Sequence, residues 1–145
     1  MQKEESDCIV GFRFYFMKKL LTIVFFMAIA ITTQAATNIT GTWRWSNSDT
    51  SSVFTLILNQ NVDSINGYHS IVAHNGLKID DEQDIYSIKG VRNGDVFNVT
   101  FKSSFTDNLG NATIIVIGNK SIQWTITKVP DGECYFPANV ILTKQ

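Results

Sequence analysis

The feature that most constrains the fold of this chain is a regular alternation of short β-rich runs and turn signals. The segment from Ala36 to Val129 lacks proline, and no part of it carries the 3.6-residue apolar stripe of an amphipathic helix. Asn93-Gly94 predicts a type I′ hairpin turn, and Asn75-Gly76 and Gly118-Asn119 mark further turns. Runs joined by tight turns are antiparallel neighbours, so the pattern predicts an all-β meander.

Eight runs are predicted to be strands. They are Ile39–Trp45, Ser52–Asn59, Ile65–Ala73, Ile85–Val91, Val96–Ser103, Ala112–Ile117, Ile122–Lys128 and Ala138–Thr143. In several of them apolar and polar residues alternate, as at Phe97, Val99 and Phe101, which gives the strand one apolar face. Closure of such a meander removes both unpaired edges. The sequence therefore predicts an eight-stranded antiparallel meander, closed or nearly closed into a barrel, in preference to a sandwich.

A leader-like segment precedes this domain. Met17-Lys18-Lys19 is a basic n-region, Leu20–Ile31 is an apolar run, and Ala35 or Ala36 is a small residue suited to cleavage. The run matches the apolar core of a signal peptide, about 7–15 residues, and is shorter than a ~20-residue membrane span. The alternative is a membrane anchor that begins at residue 12, but Arg13 and the two lysines interrupt it.

These features divide the chain into three predicted parts. Residues 1–16 are a mis-assigned N-terminal extension, residues 17–35 are a cleaved signal peptide, and residues 36–145 are a single barrel domain. The predicted location is periplasmic or secreted, with no stable membrane anchor after cleavage.

The charge and the cysteines limit the partners of the domain. From Ala36 onward eight Lys/Arg face ten Asp/Glu, so the net charge is −2, and there is no basic surface for nucleic acid. Cys134 is the one cysteine after the leader. It is predicted to be a small buried hydrophobe, with an intermolecular disulfide as the alternative.

Few residues are candidates for catalysis or metal binding. His69 and His74, the two histidines, are five residues apart and would point to opposite faces of a strand, so no metal site and no cofactor are predicted. Neither lies in a recognisable nucleophile context, so no catalytic residue and no enzymatic activity are predicted. An acidic cluster in the longest predicted loop (75–84) is expected to be solvated, with a calcium site as the alternative. Its members are Asp80, Asp81, Glu82 and Asp84.

The first predicted strand contains Gly41-Thr42-Trp43. Gly-x-Trp at the start of an eight-stranded meander resembles the calycin superfamily, which includes lipocalins, fatty-acid-binding proteins and avidins. The resemblance implies that Trp43 plugs one end of the barrel and that Gly41 permits the close strand approach. Lipocalins pair this tryptophan with an arginine near the last strand, whereas Arg44 and Arg92 are the arginines of this domain. Trp45 stands where avidin-like chains have a ligand asparagine, so biotin binding is not implied.

Two functional hypotheses follow from a barrel of this size. Eight-stranded barrels have room for side chains alone or for one small ligand. The preferred hypothesis is an exported non-enzymatic binding protein that acts through rim loops (46–51, 75–84 and 129–136) on a protein partner. Small periplasmic barrels that inhibit lysozymes suggest, by fold-level analogy, an inhibitor or protective factor. The alternative is a carrier of a small apolar ligand in the barrel interior, where the ligand would contact Trp45, Phe54, Tyr68, Phe101 and Trp124.

Some apolar residues are predicted to point away from the core. Val53 and Ile57 in one strand, and Ile115 and Ile117 in another, make those strands apolar on both faces. A covered outer wall or a homo-oligomer contact through these four residues is therefore expected.

Overall fold

The computed structural model describes residues 37–82 and 85–145. The predicted extension (1–16) and signal peptide (17–35) lie outside these residues. Within the described ranges, no helical segment has the length and apolar character of a membrane span. The described residues form nine strands: β1 (Gly41–Ser46), β2 (Val53–Asn61), β3 (Ser64–Ala73), β4 (Lys78–Glu82), β5 (Ile88–Asn93), β6 (Val96–Lys102), β7 (Leu109–Gly118), β8 (Ser121–Lys128) and β9 (Asn139–Lys144).

The nine strands form one antiparallel sheet that closes on itself. Their order is β2-β1-β9-β8-β7-β6-β5-β3-β4, and a further pairing between β2 and β3 completes the ring. Eight strands make up this ring, and β4 is attached to β3. The predicted all-β, closed, eight-stranded antiparallel barrel is therefore confirmed, and it is consistent with a calycin-like fold. The extra strand β4 is not predicted by the sequence pattern.

One position of the barrel is shared by two short strands. The first half of β3, Ser64–Gly67, pairs with β5, and the second half, His69–Ala73, pairs with β4. Both partners run antiparallel to β3, so β4 and β5 lie end to end along the same side of β3. The backbone ladder between β5 and β6 ends near Ser87, whose carbonyl accepts a 3.0 Å bond from the Lys102 N–H. Beyond that point, side chains join β4 to the segment that follows β6.

Two turns have conformations that the sequence pattern does not specify. The hairpin predicted at Asn93-Gly94 is present, but Asn93 pairs with Val96, so the two turn residues are Gly94 and Asp95. Gly94 has a φ of 63°, and Asp95 is not among the residues with positive φ. This is the pattern of a type II′ turn, and the predicted type I′ turn is wrong. At the turn between β2 and β3, Val62 has a φ of 55°, which a β-branched residue rarely adopts.

Alternating residues of the strands fill the barrel interior. Phe97, Val99 and Phe101 are buried on β6, as their spacing predicts, and so are Ile122 and Trp124 on β8. Because successive side chains of a strand point to opposite faces, these buried rows converge on one core.

Trp43 lies in this core near the hairpin end of the barrel, where the 61–64, 93–96 and 118–121 turns meet. It is 2% exposed, and its indole Nε1 donates a 2.8 Å bond to the carbonyl of Ile39. The Lys144 ammonium lies 5.2 Å from the centre of its ring, which is within the range of a cation–π interaction. Gly41 has a φ of 137°, and a Cβ there would come within 2.8 Å of the Lys144 side chain.

Candidate functional site

Four connections meet at the end of the barrel opposite these hairpins, because neighbouring strands are antiparallel. They join β1 to β2 (47–52), β3 to β4 (74–77), β6 to β7 (103–108) and β8 to β9 (129–138). We call this end the rim. Two of the three loop regions predicted to form a binding rim, 46–51 and 129–136, lie here, and so does the start of the third, 75–84.

The longest of these connections, residues 129–138, is called the strap, and it inserts Phe136 into the barrel. Phe136 is 7% exposed. The centre of its ring lies 4.4 Å from that of Phe101, 4.5 Å from that of His69, 5.5 Å from that of Phe54 and 5.8 Å from that of Trp124. Aromatic pairs at these separations contribute about 0.5–1.5 kcal/mol each beyond their buried area. Phe136 therefore closes the rim end of the core from a loop.

The strap is attached to the barrel along its length. The Trp124 indole N–H donates a 3.0 Å bond to the Pro137 carbonyl, and the Ile126 N–H donates to the Ala138 carbonyl at 2.8 Å. At the other end of the strap, the Asp131 carbonyl accepts a 2.8 Å bond from the Thr106 hydroxyl. These bonds fix the strap at both ends, with Phe136 between them.

An apolar cleft opens beside the strap. Its volume is about 320 Å3, within the range of small-ligand pockets, ~300–1,000 Å3. Trp45, Phe54, Ile71, Tyr135 and Phe136 are among the residues that line it. Cys134 also lines the cleft as a free, half-buried thiol, and burial raises its pKa.

Exposed apolar side chains lie around the cleft. Leu77 is 83% exposed and Phe105 is 40% exposed. The Phe105 ring meets the Tyr135 ring edge to face at 5.3 Å, and the Lys78 ammonium lies 5.6 Å and 5.5 Å from the centres of these two rings. A hydrogen bond from Lys78 to Glu133, 2.9 Å long, raises the pKa of the ammonium. The rim therefore presents aromatic surface that is bordered by a charged pair.

A buried polar network lies beneath Phe136, at the break between β4 and β5 alongside β3. His69 on β3 is 2% exposed, and Asp80 on β4 is fully buried. The imidazole Nε2 lies 2.9 Å from Asp80 Oδ1, and Nδ1 lies 2.7 Å from Ser87 Oγ. Asp80 also accepts bonds from the Ser103 hydroxyl at 2.6 Å, and from the N–H and hydroxyl of Ser104 at 2.8 and 2.9 Å.

The hydrogen bonds of this network determine where its protons lie. Burial by itself raises the pKa of Asp80, but the bonds from His69, Ser103 and the Ser104 N–H together outweigh burial and lower the pKa to about 2. The carboxylate is therefore ionised and accepts the Nε2 proton of His69. On the other side of the ring, Ser87 Oγ lies 2.7 Å from Nδ1 and also accepts a 3.2 Å bond from the His69 backbone N–H.

Ser87, His69 and Asp80 are connected like a nucleophile, a base and an orienting carboxylate. The side chains of His69 and Asp80 have no solvent exposure, and Ser87 is 5% exposed. In this packing the three groups satisfy one another within the barrel wall. The three groups therefore join β3 and β4 to the segment that precedes β5.

The acidic cluster is not the solvated loop that the sequence suggests. Asp80, Asp81 and Glu82 belong to strand β4, and Asp80 points into the barrel. Four hydrogen bonds converge on the Asp80 carboxylate, which is therefore paired rather than hydrated. Asp84, the fourth member of the predicted cluster, lies outside the described residues. No group of three or more potential metal ligands is found among the described residues.

Three of the five predicted interior residues lie together in the core: the ring centre of Trp124 is 5.5 Å from that of Phe54 and 5.4 Å from that of Phe101. Trp45 is only partly buried and lines the rim cleft, as Phe54 also does. Tyr68 lies on the opposite face of β3 from His69, and its ring centre is 5.0 Å from that of the exposed Tyr86. Tyr68 is therefore on the outer wall, because the inward row of β3 consists of residues 65, 67, 69, 71 and 73.

The four residues expected to form an outer apolar wall do not form a single surface. Val53 and Ile57 belong to β2, whereas Ile115 and Ile117 belong to β7. In the closed ring three strands separate β2 from β7 in either direction. The two pairs are therefore on opposite sides of the barrel, with Ile57 and Ile117 about half exposed at 48% and 47%.

Two functional groups of residues are missed by the sequence analysis. Asp80 and Ser87 lie in segments with no apolar alternation, Ser103 follows the inward row of Phe97, Val99 and Phe101, and Phe136 lies in a loop beside a proline. The one available signal is His69, which falls in the inward row of Ile65 and Ile71. A histidine in such a row needs a buried polar partner.

Comparison with known proteins gave no match to a protein family, to a curated protein or to a solved structure. The function of the chain is therefore inferred from its own residues.

Proposed function

We propose that this chain is an exported, non-enzymatic binding protein of the calycin type, which binds a protein partner through its rim. The filled interior supports this choice over an internal carrier. Phe54, Phe101, Trp124 and Phe136 contact one another with ring centres 4.4–5.8 Å apart, so side chains occupy the place that a barrel ligand would take. A partner would therefore bind to the outside of the barrel.

The observation that carries the proposal is the cleft of about 320 Å3 beside the exposed Phe105. A concave apolar site next to an exposed aromatic ring is the usual form of an interface hot spot. A partner would insert one apolar side chain between Trp45 and the strap, and would cover Phe105 and Leu77. Lys78 and Glu133 would form part of the polar border that surrounds such a contact.

Export and calycin kinship are supported by separate features. The leader at residues 17–35 favours export, and the Gly41-Thr42-Trp43 sequence opens the first strand of a closed barrel. The Lys144 ammonium lies 5.2 Å from the centre of the Trp43 ring, and this contact between the last strand and the first supports the likeness to lipocalins, which pair the tryptophan with an arginine. An inhibitor or protective factor outside the cytoplasm fits a small binding domain of this kind.

Capture of the partner by rim variants and a matched control tests the proposal. The protein, expressed from its full sequence with a C-terminal affinity tag, is used to retain proteins from a periplasmic extract. The rim variant carries Leu77→Ser and Phe105→Ser. The control carries Ile57→Ser and Ile117→Ser, at positions that are about half exposed (48% and 47%) but lie away from the rim.

We expect wild type and control to retain the same discrete protein, and the rim variant to lose at least about tenfold, the effect of ~1.4 kcal/mol. Equal retention by all three proteins, or retention of no protein by wild type, would contradict the proposal.

The cleft also supports one form of the alternative, a carrier that holds a small apolar ligand at the rim. Trp45 lines the cleft and is only partly buried. If an apolar fluorescent probe bound wild type in a 1:1 ratio, and Trp45→Ala abolished binding without changing the urea midpoint, the carrier would be favoured over the protein-binding module.

A further inference from the structure

A second concave surface lies on the outer wall, away from the rim cleft. It is a groove of about 540 Å3 across β3, β5 and β6. Its outward-facing lining consists of Ser64, Asn66, Tyr86, Lys89, Val91, Asn98 and Thr100. The proposed rim function uses none of these side chains.

The strand register arranges the groove in two parallel rows. Asn66 pairs with Lys89, and Lys89 pairs with Thr100. Asn111 on β7 extends this row, since it pairs with Thr100, and it lines an adjoining depression that shares Asn98 and Thr100 with the groove. Four strands ~4.8 Å apart span ~14 Å, which suits an extended ligand.

The second row runs Ser64, Val91, Asn98 and Thr113. Amides and hydroxyls dominate both rows. Lys89 is the one charged residue that lines the groove among those that the structure describes, and no carboxylate does so. The groove therefore offers many neutral donors and acceptors and little net charge.

An aromatic pair borders the groove. Tyr86 is 43% exposed, and the ring of Tyr68 supports it at 5.0 Å with a tilt of 43°. A tyrosine held in this way presents a fixed apolar face with a polar tip. The face can pack against the C–H side of a sugar ring while the hydroxyls of the sugar bind the neighbouring amides.

Asn66 has unused hydrogen-bonding capacity. Its Oδ1 atom is buried and accepts no hydrogen bond from any residue in the described ranges. An unpaired buried acceptor costs about 1–3 kcal/mol, and rotation of the amide toward the groove would let the oxygen accept a bond from a ligand hydroxyl.

We propose that this groove binds a neutral oligosaccharide. Three properties select this class: neutral amide and hydroxyl rows, a supported exposed tyrosine at the edge, and an amide oxygen in need of a donor. An acidic ligand would find one cation, and an apolar ligand would leave both rows unpaired. The groove and the rim are separate surfaces, so the proposal stands independently of the rim function.

Affinity electrophoresis in native gels tests it. The gels contain mixed-linkage β-glucan, xylan or dextran as neutral probes, or alginate as the anionic control. The protein is made in a bacterial host, because Asn98-Val99-Thr100 and Asn111-Ala112-Thr113 are N-glycosylation sequons. Tyr86→Ala and Asn98→Ala alter the groove, and Tyr135→Ala at the rim is the control.

We expect at least one neutral polysaccharide to retard wild type and Tyr135→Ala equally, and Tyr86→Ala and Asn98→Ala to weaken binding by about fivefold or more. Unchanged melting temperatures show that the variants are folded. The proposal is overturned if no neutral probe retards wild type, if the groove variants bind as well as wild type, or if alginate alone retards the protein.

Discussion

Nε2 of His69 lies 2.9 Å from Oδ1 of Asp80, and the two residues come from the adjacent strands β3 and β4. Asp80 extends this link to Ser103 and Ser104, which follow β6. The Asp80 carboxylate thus connects β3, β4 and the segment after β6, at the break between β4 and β5.

Asp80→Asn is expected to lower the free energy of unfolding by about 1.5–3 kcal/mol, because buried hydrogen-bond donors lose a charged acceptor. The amide has nearly the shape of the carboxylate but cannot accept all four protein hydrogen bonds. Urea denaturation measures the change. Asp95→Asn is the matched control, because Asp95 is exposed and lies 3.8 Å from Arg92, so a change of at most about 1 kcal/mol is expected. Equal midpoints for the two variants would show that the network adds no stability.

Acid is expected to weaken the protein through Asp80. The pKa of Asp80 is about 2 in the folded protein and ~3.9 in an unfolded chain, so between these values the unfolded state binds more protons. The stabilisation is complete above about pH 4 and is lost as the pH falls toward 2, a change of roughly 2–3 kcal/mol.

Urea denaturation of wild type and Asp80→Asn at several pH values from 2 to 5 isolates this contribution. Asp49, Asp107 and Glu133 also have lowered pKa values, but they are exposed and present in both proteins. The difference between the two curves should shrink as the pH falls. A difference that is constant with pH would assign the effect of the substitution to packing.

Phe136→Ala is expected to cost about 3–5 kcal/mol, as for other buried aromatic residues, and to open the rim end of the core. The space would extend the cleft of about 320 Å3 into the core, and its lining by the rings of Phe54, Phe101 and Trp124 would suit a small apolar molecule such as benzene. Urea denaturation gives the loss of stability, and NMR titration with benzene reports the new site. Phe105→Ala, at a ring 40% exposed, should cost about 1 kcal/mol or less and bind no benzene.

Val62→Gly is expected to stabilise the protein, although it removes an apolar side chain. Val62 is 79% exposed and has a φ of 55°, a conformation that costs an L-residue about 1–2 kcal/mol. Glycine removes this strain and loses part of the gain to backbone entropy, ~0.5–1 kcal/mol. The urea midpoint should therefore rise slightly, whereas Val91→Gly, on a regular strand, should lower it. A fall in both variants would mean that the turn holds no strain.

The barrel architecture could be predicted from the sequence because the patterns that indicate it, alternation and turn residues, are local. Alternation at Phe97, Val99 and Phe101 identifies the inward face of β6 without knowledge of its neighbours, and turn residues identify the antiparallel order. Strand β4 breaks this rule: Ile79 is 59% exposed while Asp80 is fully buried. The polarity of this strand is inverted because the carboxylate has hydrogen-bond donors from His69 and Ser103, which are distant in sequence.

The candidate sites were less predictable for the same reason. The burial of Phe136 depends on rings from β2, β6 and β8, and no local pattern in a proline-flanked loop reports them. Tyr68 has the aromatic character of an interior residue, but its position in the alternation of β3 puts it outside. Val53 and Ile115 looked like parts of one wall because sequence pattern contains no information on how far apart two strands lie around a ring.

The pairing of the first strand with the last also sets an order of events in the cell. Trp43 and Arg44 on β1 pair with Lys144 and Thr143 on β9. The ring of strands therefore cannot close until the chain has been synthesised as far as Lys144. A growing chain can form hairpins early, but it remains an unclosed sheet until the last strand is available. Removal of the final six residues would be expected to leave β1 and β8 with free edges, and such a chain should aggregate rather than fold slowly.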